Sequence, residues 1–176
     1  MDKRIGISAH SDPASDASGE RLHQLEMAVQ RAQEGLARWQ AHCFEQVSSV
    51  PLSGAEITLL LLIGSGGRSK SIKELARFTN RADIPNIQYS LRKLASAGLT
   101  CKKGAGRSGV SYSLTKEGAR VAGKMKSVRE RLLLEALADR PGLASLMEGA
   151  LEVLEELTEL YETNAHTAGA GSKPDR

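Results

Sequence analysis

Aromatic side chains are scarce in this chain: one Trp, three Tyr and two Phe among 176 residues. Proteins that grip single-stranded nucleic acid need a platform of exposed rings, and six aromatics, mostly assignable to packing, do not supply one. Cysteine is scarcer still. Cys43 and Cys101 are far apart, and apart from His42 neither has a Cys or His neighbour at metal-ligand spacing, so each reads as a small buried apolar residue. The four histidines, at positions 10, 23, 42 and 166, fall in the terminal regions or in the first long helical pattern. They suggest no triad and no metal cluster, so neither catalytic residues nor a cofactor are expected. No stretch approaches the roughly 18 to 20 apolar residues that a membrane span needs. The opening "MDKRIGISAHSDPASDASGE" carries early positive charge but no apolar core of a signal peptide. A cytoplasmic protein without a membrane partner is expected.

What is present fits one compact domain with extensions, since 40% of the residues are hydrophobic. The net charge of +3 conceals a strong segregation. Residues 68 to 131 hold 16 Lys and Arg against 4 Asp and Glu, a balance of +12, whereas residues 132 to 162 come to −7. A basic middle between acidic flanks suits a nucleic-acid surface with a separate face for other work.

The segment "LLLLIGSGGRSKSIKEL", residues 59 to 75, has the look of a phosphate-binding loop. Such a loop needs glycine directly before its lysine, where a Cβ would block the backbone from phosphate oxygens. Ser69 stands there. The lead-in also argues for a helix, because Ser53 and Glu56 have capping-box spacing and the apolar run from Ser53 to Ile63 is long for a strand. Ser71 and Glu74 repeat the S-x-x-E box, so Lys70 and Ser71 belong to the next helix start.

That second helix, 71 to 79, should turn Ile72, Leu75, Ala76 and either Phe78 or Thr79 inward. A short turn, Asn80 to Asp83, leads into a third helix that Asp83 or Ile84 caps, with Pro85 in the first turn and Gly98 just beyond the end. Two short helices across a tight turn predict a helix-turn-helix. Ile84, Ile87, Leu91 and Leu94 form the buried stripe of the third helix. Its other face shows Asn86, Gln88, Tyr89 and Arg92 for base edges and Lys93 for phosphate. "LTCKKGAGRSGVSYSLT" then predicts a hairpin of strands 99 to 103 and 110 to 115, with Val110, Tyr112 and Leu114 on the packed face. This wing carries Lys102 and Lys103 on its stem and Arg107 at its tip. Every charge from Arg92 to Lys116 is positive.

Residues 52 to 115, with their "L-x-x-x-E" helix opening, "LRKLASAGL" running into a wing and "SLTKEG" leaving it, resemble the winged-helix core of the multiple-antibiotic-resistance-regulator (MarR) type of bacterial transcription factors. The resemblance implies a homodimer with interlocked first and last helices, and it adds a small-molecule effector as a further partner. Many members carry an Asp-x-Arg pair near the wing; "GAGRSG" gives Arg107 no such acid. The dimer is also suggested independently by two apolar seams. One runs through Leu22, Leu25, Val29, Ala32, Leu36, Trp39 and Cys43; the other through Leu143, Met147, Ala150, Leu154, Leu157 and Tyr161, with Leu146, Val153 and Leu160 beside it.

The expected architecture is therefore mainly α with a small β-hairpin wing. Tails at 1–18 and 165–176 would flank a dimerisation helix at 19–48, a winged-helix DNA-binding domain at 49–118 and C-terminal dimerisation helices at 119–164. Sequence-specific binding of double-stranded DNA by a transcriptional regulator is the expected function. A winged-helix module for protein assembly in a chromosome or replication complex is the alternative, less favoured because the recognition face is basic.

Overall fold

The computed structural model describes residues 13–104 and 109–170. Two glutamates open the central helices by the same device. Helix α2, Gly54–Gly64, begins where the Ser53 N–H donates to Glu56 Oε2 at 2.7 Å and the Glu56 N–H donates back to Ser53 Oγ at 3.4 Å. Helix α3, Ile72–Thr79, repeats the exchange between Ser71 and Glu74 at 2.8 and 3.2 Å. Both capping boxes are those expected from the sequence, and each satisfies two N–H groups that a helix start would otherwise leave open.

Contacts divide the chain into two compact units that part between Met125 and Lys126. In the first, α1 spans Pro13–Glu45 and α4 spans Ile84–Ser96. Helix α1 starts ahead of the expected residue 19, inside the segment read as a tail, because proline is at home in a first helical turn and the alanines after it favour helix. Apolar on every side, α2 touches α1, α3, α4 and the sheet, as a helix without a polar face must. The core is built from Cys43 and Phe44 of α1, Ile57, Leu59, Leu60 and Ile63 of α2, Leu75 of α3, and Ile87, Leu91 and Leu94 of α4, closed by Leu99, Val121 and Met125. Cys101, expected in the interior, is only half-buried, with its Sγ 3.2 Å from Ser113 Oγ.

The wing is a hairpin of β2, Thr100–Lys103, and β3, Ser111–Leu114, paired so that Thr100 faces Leu114 and Lys103 faces Ser111. A third strand goes beyond the expected hairpin. β1 is only Lys70–Ser71, too short to show alternation, and it pairs antiparallel with Tyr112 and Ser111 to give the order β1-β3-β2. With strands on both sides, β3 lacks the expected division into packed and wet faces, and all four of its residues are half-buried. Lys70, 3% exposed, turns its ammonium back onto the carbonyl of Ser65 instead of presenting it at the loop mouth, where a phosphate-binding lysine would stand.

The "LTKEG" motif has a physical basis at the exit of the wing. Thr115 Oγ1 donates to the Gly98 carbonyl at 2.6 Å and accepts from the Gly118 N–H at 3.0 Å, while the Thr115 N–H bonds Leu99 at 3.0 Å. This ties helix α5, Lys116–Arg129, to the end of α4. Gly118 sits so close that a Cβ there would lie 1.9 Å from the Leu99 carbonyl oxygen.

The second unit contains a π-helical stretch, Glu130–Leu134, a short helix α6, Glu135–Ala138, and helix α7, Pro141–Ala170. Pro141 opens α7, where a proline costs no helix donor, and the helix runs into the segment read as the C-terminal tail. Leu132, Leu133 and Leu134 are all exposed, as are Leu143, Leu146, Leu151 and Val153.

Replacing Gly118 with alanine forces backbone apart from backbone. The expected cost is about 3 kcal/mol, the upper end of what overpacking produces. A urea titration reads it, and an unchanged midpoint refutes the close approach.

Candidate nucleic-acid interface

Helix α4 is set into the domain by one stripe. Ile87, Leu91 and Leu94 are at most 1% exposed, Ser90 lies among them, and Ile84 at the helix start is half-buried. The helix ends in a Schellman motif. Gly98, at φ +70°, donates to the Ala95 carbonyl at 2.9 Å, and the Leu99 N–H reaches Leu94 at 3.0 Å. These contacts fix the opposite face outward, where Asn86, Gln88, Tyr89 and Arg92 are all exposed, Tyr89 by 60%.

Lys93 is placed differently from its expected phosphate role. Its Nζ lies 2.9 Å from Oε2 of Glu56, a carboxylate 3% exposed at the start of α2. Burial pushes the Glu56 carboxyl upward, but hydrogen bonds from Lys93 and Ser53 outweigh it and leave the group below the ordinary glutamate value. Sequence reasoning missed this pair because 37 positions separate its members. A cavity of about 330 Å³ lies alongside, walled by Phe44, Val50, Pro51, Leu52 and Ser53 with Lys93 on one side.

The turn between α3 and α4 also departs from expectation in one detail. Asn80 takes the left-handed conformation at φ +48° and the Arg81 N–H returns to Ala76 at 3.0 Å, which ends α3 sharply. Asp83 stands at the N-cap of α4, yet its side chain does not cap the helix. Its Oδ1 and Oδ2 accept from Arg81 Nε at 2.9 Å and Nη2 at 3.0 Å, and Oδ2 accepts from Asn86 Nδ2 at 2.9 Å. Those hydrogen bonds, from Arg81 first and Asn86 second, hold the Asp83 carboxyl down to about 2.

On the wing, Lys102 and Lys103 are both exposed. As successive strand residues they project from opposite faces of the hairpin. Arg107 lies outside the described residues. Phe78, one candidate for the core, is 50% exposed with the Arg77 guanidinium 5.3 Å from its ring centre; Thr79 takes the inward place and bonds the Leu75 carbonyl at 2.8 Å. Among the residues expected at a dimer interface, Val29, Leu36, Leu154 and Tyr161 are exposed, while Leu25, Trp39 and Leu157 are half-buried. Among the described residues no cluster of His, Cys, Asp or Glu is placed to hold a metal, and no helix is long and apolar enough to cross a membrane.

Residues 52–118 match the family model described as a winged helix DNA-binding domain. No curated protein matches the chain significantly by sequence. Solved structures do match by fold. One, described as a MarR family transcriptional regulator from Listeria monocytogenes complexed with 26mer DNA, is 14% identical, with a TM-score of 0.64 over 85% of this chain and 97% of that one. The transcriptional regulator BldR from Sulfolobus solfataricus is 22% identical, with a TM-score of 0.62 over 78% and 96%. The transcriptional repressor CouR bound to p-coumaroyl-CoA is 21% identical, with a TM-score of 0.60 over 75% and 92%. The chain thus contains a winged helix DNA-binding domain within the fold shared by MarR-type regulators, as the resemblance in sequence implied.

Removing the Lys93 ammonium leaves the Glu56 carboxylate buried without its cation. Lys93→Ala is expected to cost roughly 2 kcal/mol at neutral pH. In the wild type the Glu56 contribution is complete above the unfolded glutamate pKa and is lost as pH falls through the lower folded value. In the variant burial is opposed only by the Ser53 hydrogen bonds, which raises the folded value above that of wild type, so its deficit against wild type should shrink between pH 7 and pH 4. Urea unfolding at both values tests this; an equal deficit at both counts against the pair.

Proposed function

We propose that this chain is a homodimeric regulator of transcription that binds double-stranded DNA sequence-specifically. The observation that carries the reading is the outward face of α4. Asn86, Gln88, Tyr89 and Arg92 stand together on it, held there by the fully buried stripe beneath and followed directly by a cationic hairpin. Asn and Gln offer the paired donor and acceptor that adenine presents in the major groove, and Arg matches guanine. Lys102 and Lys103 supply charge for phosphates, which adds affinity without sequence choice. With Lys93 paired to Glu56, the phosphate contacts rest on Lys102 and Lys103 of the wing stem.

The apolar seams support the dimer. Val29 and Leu36 on α1, and Leu154 and Tyr161 on α7, are exposed at helical spacing on helices far longer than the winged helix needs. A small effector fits the same reading, since a repressor of this fold binds an acyl-CoA and the cavity beside Lys93 adjoins the root of the recognition helix. Its natural setting is the cytoplasm. The protein-assembly alternative is less well supported, because the +12 balance of residues 68 to 131 favours a polyanion.

Two measurements test the proposal. Sedimentation at micromolar concentration should show a dimer, and Leu36→Glu combined with Leu157→Glu should give monomer or insoluble chain; a monomeric wild type removes the dimer. Duplexes selected from a random library should carry inverted half-sites centred about 10 base pairs apart or a multiple of that. Replacing Lys102 and Lys103 with alanine should weaken all duplexes alike and reduce the salt dependence by roughly one unit of slope for each phosphate no longer neutralised. If neither selected nor random duplex binds at low salt, the DNA reading gives way to the assembly module.

A further inference from the structure

The turn "RADIPN", residues 81 to 86, places a carboxylate where a DNA-reading surface is least able to tolerate one. Asp83 is exposed at the N-terminal end of α4, beside Asn86. An unpaired acid there would repel phosphates, as like charges brought together do. It is not unpaired. Arg81 grips both carboxylate oxygens at 2.9 and 3.0 Å, so the turn presents a neutral pair. The same carboxylate gives up its helix-capping role to accept the Asn86 amide at 2.9 Å.

That last bond has a chemical consequence. A carboxylate accepts and does not donate, so the group that Asn86 turns to Asp83 has to be its NH2. The opposite orientation would set two acceptor oxygens against each other. The amide oxygen is therefore directed away from Asp83, and one of the two amide hydrogens remains uncommitted to it. An outward oxygen beside one available N–H matches the N6 amino group and N7 of adenine. Guanine offers acceptors at both positions, O6 and N7, and would meet the amide oxygen with an oxygen.

We infer that Asp83 is a positioning residue that locks the Asn86 amide in the orientation that reads adenine, while Arg81 cancels the charge this lock requires. The inference rests on the proposed reading of α4 as a DNA recognition helix. It assigns different duties to adjacent side chains: Asp83 governs which base is chosen, Arg81 governs how strongly any duplex is held.

The test uses the full-length chain as wild type and as Asn86→Ala, Asp83→Ala and Arg81→Ala. Thermal melts confirm that each variant folds. Selection from a random duplex library identifies, by comparison with Asn86→Ala, the half-site position that Asn86 reads. Adenine is expected there, preferred over guanine by roughly tenfold to a hundredfold. Asp83→Ala should reduce that preference to a few-fold by letting the amide turn over, with affinity for random duplex equal to wild type or higher. Arg81→Ala should keep the preference and lose affinity for specific and random duplexes alike. A readout without DNA stands beside these: the Asn86 side-chain amide resonances of the free protein should move in Asp83→Ala. Guanine or thymine at the Asn86 position, an unaltered preference in Asp83→Ala, or unmoved amide resonances each overturn the lock. A wild type that enriches no sequence while the amide resonances do move overturns the base assignment through the failure of the DNA reading, and so separates the two failures.

Discussion

A carboxylate shut away from water holds α4 in place. Glu56 is 3% exposed, and its Oε2 receives both the Ser53 N–H at the start of α2 and the Lys93 ammonium from α4. Burying a lone charge is costly enough that it would drive the chain apart or the proton on. Two donors make the burial tolerable, and in doing so they fix geometry. The apolar stripe of Ile87, Leu91 and Leu94 holds α4 against the core, but hydrophobic contact has no direction. A charged hydrogen bond does. It adds a directional tie to the rotation that the buried stripe already gives α4, and with it to the direction in which Asn86, Gln88, Tyr89 and Arg92 face.

The legible parts of the fold were those whose physics is local. Ser53 with Glu56 and Ser71 with Glu74 announce helix starts because both partners lie within one turn of chain. Gly98 announces a helix end because the left-handed conformation it adopts is closed to most other residues. The illegible parts joined distant positions or turned on a competition. Lys93 looked like one more cation on an exposed face until α2 brought Glu56 to it. β1 could not be read from two residues, since only the partner strand makes it a strand. Asp83 stood at the right place to cap α4, and the donors on either side of it won instead. Phe78 was a reasonable core residue by type, yet the sharp end of α3 at Asn80 leaves it outside with Arg77 stacked on it.

The candidate site divides along the same line. The residues proposed for base reading were visible because helical spacing alone sorts Asn86, Gln88, Tyr89 and Arg92 from the buried stripe. The state of each side chain was not visible. Of the charged and polar groups from Arg81 to Lys103, Arg81, Asp83, Asn86 and Lys93 are already engaged within the protein, whereas Lys102 and Lys103 stand exposed on the wing. A count of positive charges therefore overstates what is available to a polyanion, and the excess lies in the pairs that shape the surface.

The short strand β1 has a mechanical meaning. By pairing Lys70 and Ser71 with Tyr112 and Ser111, it fastens the loop-side end of β3 to the residue that caps α3, while Thr115 fastens the exit of the same strand to Gly98 at the end of α4. Hairpin and helix-turn-helix are thus braced at two points, as the parts of a gauge would be. For a protein that follows a groove, such a gauge has a single setting: the distance between what the helix touches and what the wing stem touches is built into the chain. Under the proposed reading, duplexes whose grooves are wider or narrower would have to deform to meet it, so stiffness of the DNA would become part of what is read.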